Sequence, residues 1–263
     1  MSETNTSTTR MITIDGQEAE AYPDETALSI AGRLGIDIPA LCHHPAVTSY
    51  GACRLCVVEV KKGKRSRMVT SCIYMPAAGD IIETGNERVR KLRRMILELL
   101  LARCPGVDVI QDLAGQYGIT AAPRFRVSGA AGASERCIVC GLCVRVCAEV
   151  IGQHAIGFVN RGGRRMIASP FETQAENCIG CGACAFVCPT KALHFEVVGG
   201  KRIMKEITTS LPMAKCTGCG GEFATVKQIE SIRHRLPAAH DKVTLCPACR
   251  RAAFRDAAEQ ALV

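Results

Sequence analysis

Sixteen of the seventeen cysteines fall into four sets whose spacing suits sulfur ligation of metal. The first is Cys42, Cys53, Cys56 and Cys72, a C-x10-C-x2-C-x15-C arrangement. A 2Fe-2S cluster needs four thiolates converging on two irons, within a loop that turns backbone N–H groups toward its sulfurs. LCHHPAVTSYGACRLC supplies such a loop, and Gly51 and Ala52 beside the close pair let the backbone approach. Zinc knuckles use two C-x2-C pairs and this set has one, which favours the cluster over a zinc or four idle thiols. His43 and His44 adjoin the first ligand, but the separated Cys/His pairs of a Rieske centre are missing.

Residues 135–198 hold an internal repeat, ERCIVCGLCVRVCAE against ENCIGCGACAFVCPT. Each copy reads C-x2-C-x2-C-x3-C, as Cys137, Cys140, Cys143, Cys147 and then Cys178, Cys181, Cys184, Cys188. This is the bacterial two-cluster run, in which three close cysteines wrap one 4Fe-4S cubane and the fourth ligates the other cluster. The expected ligand sets are therefore Cys137, Cys140, Cys143 with Cys188, and Cys178, Cys181, Cys184 with Cys147. Pro189 follows the second run as usual, whereas Ala148 replaces proline after the first. Arg54, Arg145 and Lys191 stand next to ligands, where they either raise cluster potentials or serve as ordinary surface charges.

The fourth set, Cys216, Cys219, Cys246 and Cys249, forms two C-x2-C knuckles with 26 residues between them. Such knuckles suit a tetrahedral ion, with zinc as the default for a closed four-sulfur site. A rubredoxin-like iron or a third 4Fe-4S cluster would use the same ligands. Cys104 is left over and reads as a buried thiol.

The elements that must position these residues are several and small. A chain of 263 residues is long for one domain, and 4% aromatics with no Trp leave little for large apolar cores. Tight C-x2-C groups and the polar start MSETNTSTTR argue against a secreted disulfide framework and for a cytoplasmic protein with no membrane span. The formal charge of +8 is offset by the sites themselves, since four thiolate-ligated centres carry roughly −8 in total. With aromatics scarce, a nucleic-acid partner is not expected.

The class is α+β, in five parts. Residues 1–10 are a disordered tail. Residues 11–85 form a β-grasp 2Fe-2S ferredoxin domain, with a strand through Ile12 and Ile14, a turn at Asp15-Gly16, a helix opening near Asp24, and KKGKRSR as a basic turn. Residues 86–128 are a helical linker, led by a helix over Asn86–Arg103 whose packed stripe is Val89, Leu92, Ile96, Leu99 and Leu100. A second short helix lies near VDVIQDLAGQYG, and the small-residue stretch RVSGAAGASE marks the boundary to the next domain. Residues 129–205 form a bacterial-type 2[4Fe-4S] ferredoxin domain, with a hairpin turning at Asn160–Gly163. Residues 206–263 are a small zinc-ribbon-like four-Cys module with a helix in TVKQIESIRHRL and another at the end.

IPALCHHP with GACRLCVVEV, the helix RKLRRMILELLLA, and RCIVCGLCVRVCAEV with NCIGCGACAFVCPTKAL together carry a resemblance over residues 11–198. The chain resembles the iron-sulfur arm shared by the large iron-sulfur subunit of respiratory complex I, the N-terminal part of iron-only hydrogenases, and the diaphorase iron-sulfur subunit of NAD-reducing nickel-iron hydrogenases. The resemblance implies an electron-transfer subunit of a hetero-oligomer, placed between a flavin- or NAD(H)-binding partner and a catalytic subunit of hydrogenase or formate dehydrogenase type. The alternative is a redox-sensing or regulatory protein. Those families carry a further cluster on one His and three Cys after the helix. Here the corresponding ARCPGVDVIQDLAGQYG has one Cys and no His, so that cluster is expected to be missing.

Overall fold

The computed structural model describes residues 9–119, 124–125, 135–236 and 242–261. They fall into two compact units, one of residues 1–142, 160–166 and 189–192, the other of residues 143–159, 167–188 and 193–263.

The first unit opens as its alternation demands. Strand β1 (Arg10–Ile14) buries Ile12 and Ile14, and β2 (Gln17–Ala21) returns antiparallel with Ala19 and Ala21 inward. Asp15 and Gly16 between them both take positive φ, 48° and 82°, the two-residue turn that an Asp-Gly pair favours. Helix α1 (Ala27–Arg33) starts later than the expected Asp24, because the Thr26 hydroxyl caps it by accepting the Ser29 N–H at 3.3 Å. Strands β3 (Val57–Lys62), β4 (Arg65–Thr70) and β5 (Ile81–Glu83) complete a sheet of order β2-β1-β5-β3-β4. Only β1 and β5 run parallel. The basic stretch expected as a turn is largely strand. Arg65, Ser66 and Arg67 extend β4 with exposed side chains, which costs nothing on the wet face of a sheet. Ile14, Ile30, Val58 and Ile82 close the core.

Helix α2 (Glu87–Arg103) is capped by the Asn86 side chain, which accepts the Val89 N–H at 3.0 Å. Its fully buried stripe is Val89, Arg93 and Leu97, four residues apart, and not the apolar set expected. Leu92, Ile96 and Leu100 are half-buried and Leu99 is 43% exposed. Arg93 occupies the inner line because its guanidinium donates to the Val57 carbonyl at 2.8 Å and to the Tyr117 hydroxyl at 3.1 Å. Both terminal nitrogens of this buried charge are met, while its Nε is buried without a partner among the described residues. After Cys104-Pro105-Gly106, helix α3 (Asp108–Gln116) turns Ile110 and Ala114 inward. All of RVSGAAGASE except Glu135 lies outside the described residues.

Helix α4 (Leu142–Arg145) runs into a π-helical turn at Val146–Val150, and β6 (Gly157–Val159) with β7 (Met166–Ala168) makes a two-stranded ribbon. In the second unit α5 (Ala183–Phe186) precedes four strands, β8 (Glu196–Val198), β9 (Lys201–Met204), β10 (Thr209–Lys215) and β11 (Glu222–Thr225). They form one antiparallel meander in the order β11-β10-β9-β8. The β9–β10 pair links residues on either side of position 205, so the last knuckles grow out of the same sheet as the ferredoxin-like segment. Helices α6 (Val226–Arg235) and α7 (Pro247–Ala261) complete the chain order. The core beneath them is small: Ala224, Ile229 and Val243 are buried, with Ala214, Phe223 and Ile232 packed against them.

Candidate metal centres

The four cysteines of the first set are all buried in the first unit, at 1%, 6%, 0% and 1% exposure for Cys42, Cys53, Cys56 and Cys72. Cys42 and Cys53 bracket the loop between α1 and β3, Cys56 lies one residue before β3, and Cys72 lies just past β4. The Cys53 N–H points at the Cys42 sulfur at 3.4 Å. Ser71 ties the two halves together, its N–H and hydroxyl both donating to the Cys56 carbonyl at 3.0 and 2.8 Å. Thiol contacts from Cys53 and then Cys72 pull Cys42 down, and the Cys72 contact pulls Cys56 down to about 6. The same contacts push Cys53 and Cys72 up, so the four thiols share their protons unequally. His43 Nδ1 lies 3.2 Å from the Ser49 hydroxyl, and His44 Nδ1 accepts the Ala46 N–H at 3.2 Å, so both rings are engaged locally.

In the second unit one small cavity is lined by Cys147, Cys178, Cys181 and Cys184. Cys147 thus reaches the second run, from which 30 residues of chain separate it. Apart from Gln153, the rest of the lining is apolar or small, including Ile151, Ile156, Ile179, Met204 and Ile207. Backbone donors aim at the sulfurs, Gly180 N–H at Cys178 and Ala155 N–H at Cys147, each at 3.4 Å. Burial pushes the Cys184 thiol up to about 12, with Cys181, Cys178 and Cys147 adding to it. Cys147 and Cys178 are raised as well, by burial first and neighbouring sulfurs after it, and a cation relieves such a set.

Cys137 and Cys140 belong to the first unit, Cys143 and Cys188 to the second. Within the first unit the Val139 N–H points at the Cys137 sulfur at 3.4 Å, and Arg103 Nε donates to the Cys137 carbonyl at 2.9 Å. Cys104 is fully buried, and burial pushes its thiol up to about 11, Arg103 and Arg136 opposing and Cys137 reinforcing.

The C-terminal set is the tightest. The ligand atoms of Cys216, Cys219, Cys246 and Cys249 all lie within 4.8 Å of one another, and the Cys219 and Cys246 sulfurs are 3.9 Å apart. Sulfurs about 2.3 Å from one tetrahedral ion stand about 3.8 Å apart. A cubane ligated at four separate corners would hold its thiolates further apart. Cys246 N–H approaches the Cys216 sulfur at 3.1 Å and pulls that thiol down to about 6.

Sequence reading missed four side chains around the second cavity. The Thr209 hydroxyl donates to the Ile207 carbonyl at 3.1 Å, and Arg202 donates to the Gly180 carbonyl at 2.6 Å. Thr225 donates to the Ile179 carbonyl, and Lys227 donates to the Glu176 carbonyl at 2.6 Å. None sits in a motif, and no local signal marks them.

Comparison with known proteins agrees with this layout. Residues 8–87 match a 2Fe-2S iron-sulfur cluster binding domain, and residues 136–192 and 177–221 match a 4Fe-4S dicluster domain. A solved structure of an NAD+-reducing [NiFe]-hydrogenase in the H2-reduced state contains a chain 31% identical, with a TM-score of 0.52, over 61% of this chain and 74% of that one. This chain belongs to the same iron-sulfur family. Among curated members, an NADH-quinone oxidoreductase subunit of Rhizobium meliloti is 34% identical over 57% of this chain and 20% of its own length. The alpha subunit of an NADPH-Fe(3+) oxidoreductase of Geobacter sulfurreducens is 33% identical over 59% and 20%. The match therefore spans about a fifth of these curated relatives. No helix among the described residues is long and apolar enough to cross a membrane.

Proposed function

We propose that this chain is an electron-transfer subunit carrying one 2Fe-2S and two 4Fe-4S clusters within a cytoplasmic hetero-oligomeric oxidoreductase. The observation that carries the reading is the cavity where Cys147 meets Cys178, Cys181 and Cys184, the crossed ligand set of a two-cluster ferredoxin. Cys42, Cys53, Cys56 and Cys72 hold the 2Fe-2S cluster. Cys137, Cys140, Cys143 and Cys188 hold the other cubane, a set supported by the repeat and by the dicluster match over residues 136–192. Bound clusters supply one-electron carriers and make or break no bond. The chain's own part is to tune them. The N–H groups of Cys53, Ala155 and Gly180 face ligand sulfurs and favour the more negative, reduced state, while the apolar walls around Cys178 favour the less charged one. Cys216, Cys219, Cys246 and Cys249 hold a single zinc, a reading supported by sulfur spacing that suits one ion.

The partners proposed are a flavin- or NAD(H)-binding subunit on one side and a catalytic subunit of hydrogenase or formate dehydrogenase type on the other. Anaerobic purification with partners retained, followed by mass spectrometry and metal analysis, tests this. About ten iron atoms and one zinc per chain are expected from the ligand count, together with flavin in the assembly. Colourless protein with no paramagnetic signal after reduction would overturn the cluster reading. Recovery as a lone monomer would overturn the subunit reading.

A further inference from the structure

The second cubane cavity and the C-terminal knuckles share one hairpin. Strand β10 begins at Thr209, whose hydroxyl donates to the carbonyl of the cavity-lining Ile207 at 3.1 Å, and ends one residue before Cys216. Strand β11 leaves the knuckle at Glu222 and ends at Thr225. Thr225 pairs with Met213 in the sheet, three residues from Cys216, or about 10 Å along the strand. The metal knuckle is thus the tip of a short lever whose base lies on the cluster loop.

That base is closely fitted. Thr225 is fully buried, and its hydroxyl has two tasks, donating to the Ile179 carbonyl and accepting the Gln228 N–H at 3.1 Å to cap α6. Its methyl and the Leu211 side chain pack on Gly180, while Arg202 holds the Gly180 carbonyl. From α6, Lys227 donates to the Glu176 carbonyl and Arg235 to the Ile151 carbonyl at 2.7 Å. Three side chains of the hairpin and α6 therefore fasten backbone around the cavity, at Ile179, Glu176 and Ile151, and Arg202 of β9 adds a fourth at Gly180.

Among the described residues the apolar cluster of this module is small, Ala224, Ile229 and Val243, while its other buried apolar side chains, Ile207 and Leu211, face the cubane cavity and Gly180. So small a core cannot by itself fix a hairpin and two helices, and a four-thiolate ion supplies the missing folding free energy. We propose that the C-terminal ion acts as a remote fastener of the second cubane: its binding folds the β10–β11 hairpin, and the folded hairpin clamps the Ile179–Gly180 loop through Thr225. The inference rests on the cluster reading above and adds a coupling between two metal sites.

The test uses full-length protein purified anaerobically. Cys246→Ser/Cys249→Ser should lose its zinc and release iron from the second cubane to a chelator at least tenfold faster than wild type, with the 2Fe-2S signal retained. Thr225→Val should keep its zinc and still show faster release and a changed paramagnetic spectrum of that cubane, and Thr225→Ser, which keeps the hydroxyl, should restore wild-type behaviour. Zinc-free protein that holds the cubane as firmly as wild type would overturn the coupling. So would a wild type with about fourteen irons and no zinc, the count for a third cubane. Absence of any 4Fe-4S signal in wild type would instead overturn the reading on which the coupling rests.

Discussion

Gly180→Ala isolates the packing of the hairpin on the cluster loop. A methyl at Gly180 would stand 2.7 Å from Thr225 Cγ2 and 3.0 Å from Leu211 Cδ1. Neither neighbour has room to retreat, since Thr225 and Leu211 are 0% and 2% exposed. Gly180 also has φ of +66°, which costs an L side chain about 1–2 kcal/mol. Overpacking adds about 1–3 kcal/mol, for a total of about 2–5 kcal/mol. Gly199→Ala is the control. Its φ of +57° carries the same backbone cost, but nothing lies within 4 Å of the added methyl. Several domains unfold in one chain, so a single unfolding free energy is not defined, and the readouts are the temperature and rate at which cluster absorbance is lost. Gly180→Ala should lose the second cubane at clearly lower temperature than Gly199→Ala, with the 2Fe-2S signal unmoved. Equal behaviour of the two variants would refute the claim that the hairpin shapes the loop.

Two further outcomes rest on named contacts. Cys147→Ser should perturb the same paramagnetic signal as Cys178→Ser and leave the other cubane intact, whereas Cys188→Ser should pair with Cys137→Ser; spectra of the single variants, read after reduction, check the crossing. Arg93→Met should lower the melting temperature of the 2Fe-2S domain, because it leaves the Val57 carbonyl without the guanidinium that it accepts from, a loss of about 1.5–3 kcal/mol for a bond to a charged group, measured by thermal denaturation followed at the 2Fe-2S absorbance.

The sequence by itself made the four cysteine sets legible as candidate ligands. Cluster and zinc loops are local, and their chemistry demands sulfurs two or three residues apart, so the spacing of the cysteine runs can be read without a fold. The same holds for the Asp15-Gly16 turn and for α2, where two-residue turn geometry and helical periodicity act within a few residues. Tertiary structure alone decided what long-range contact decides. Periodicity put Leu99 in the packed stripe of α2, but the Val57 carbonyl and the Tyr117 hydroxyl gave the inner line to Arg93. Thr26, not Asp24, opens α1 because its hydroxyl meets the Ser29 N–H. The crossing of Cys147 to the second run was already legible in the repeated C-x2-C-x2-C-x3-C spacing, but the grip of Thr225 on Ile179 joins residues 46 positions apart. That partner is chosen by where the β8–β11 meander lays the chain, and no residue near either in sequence records the choice.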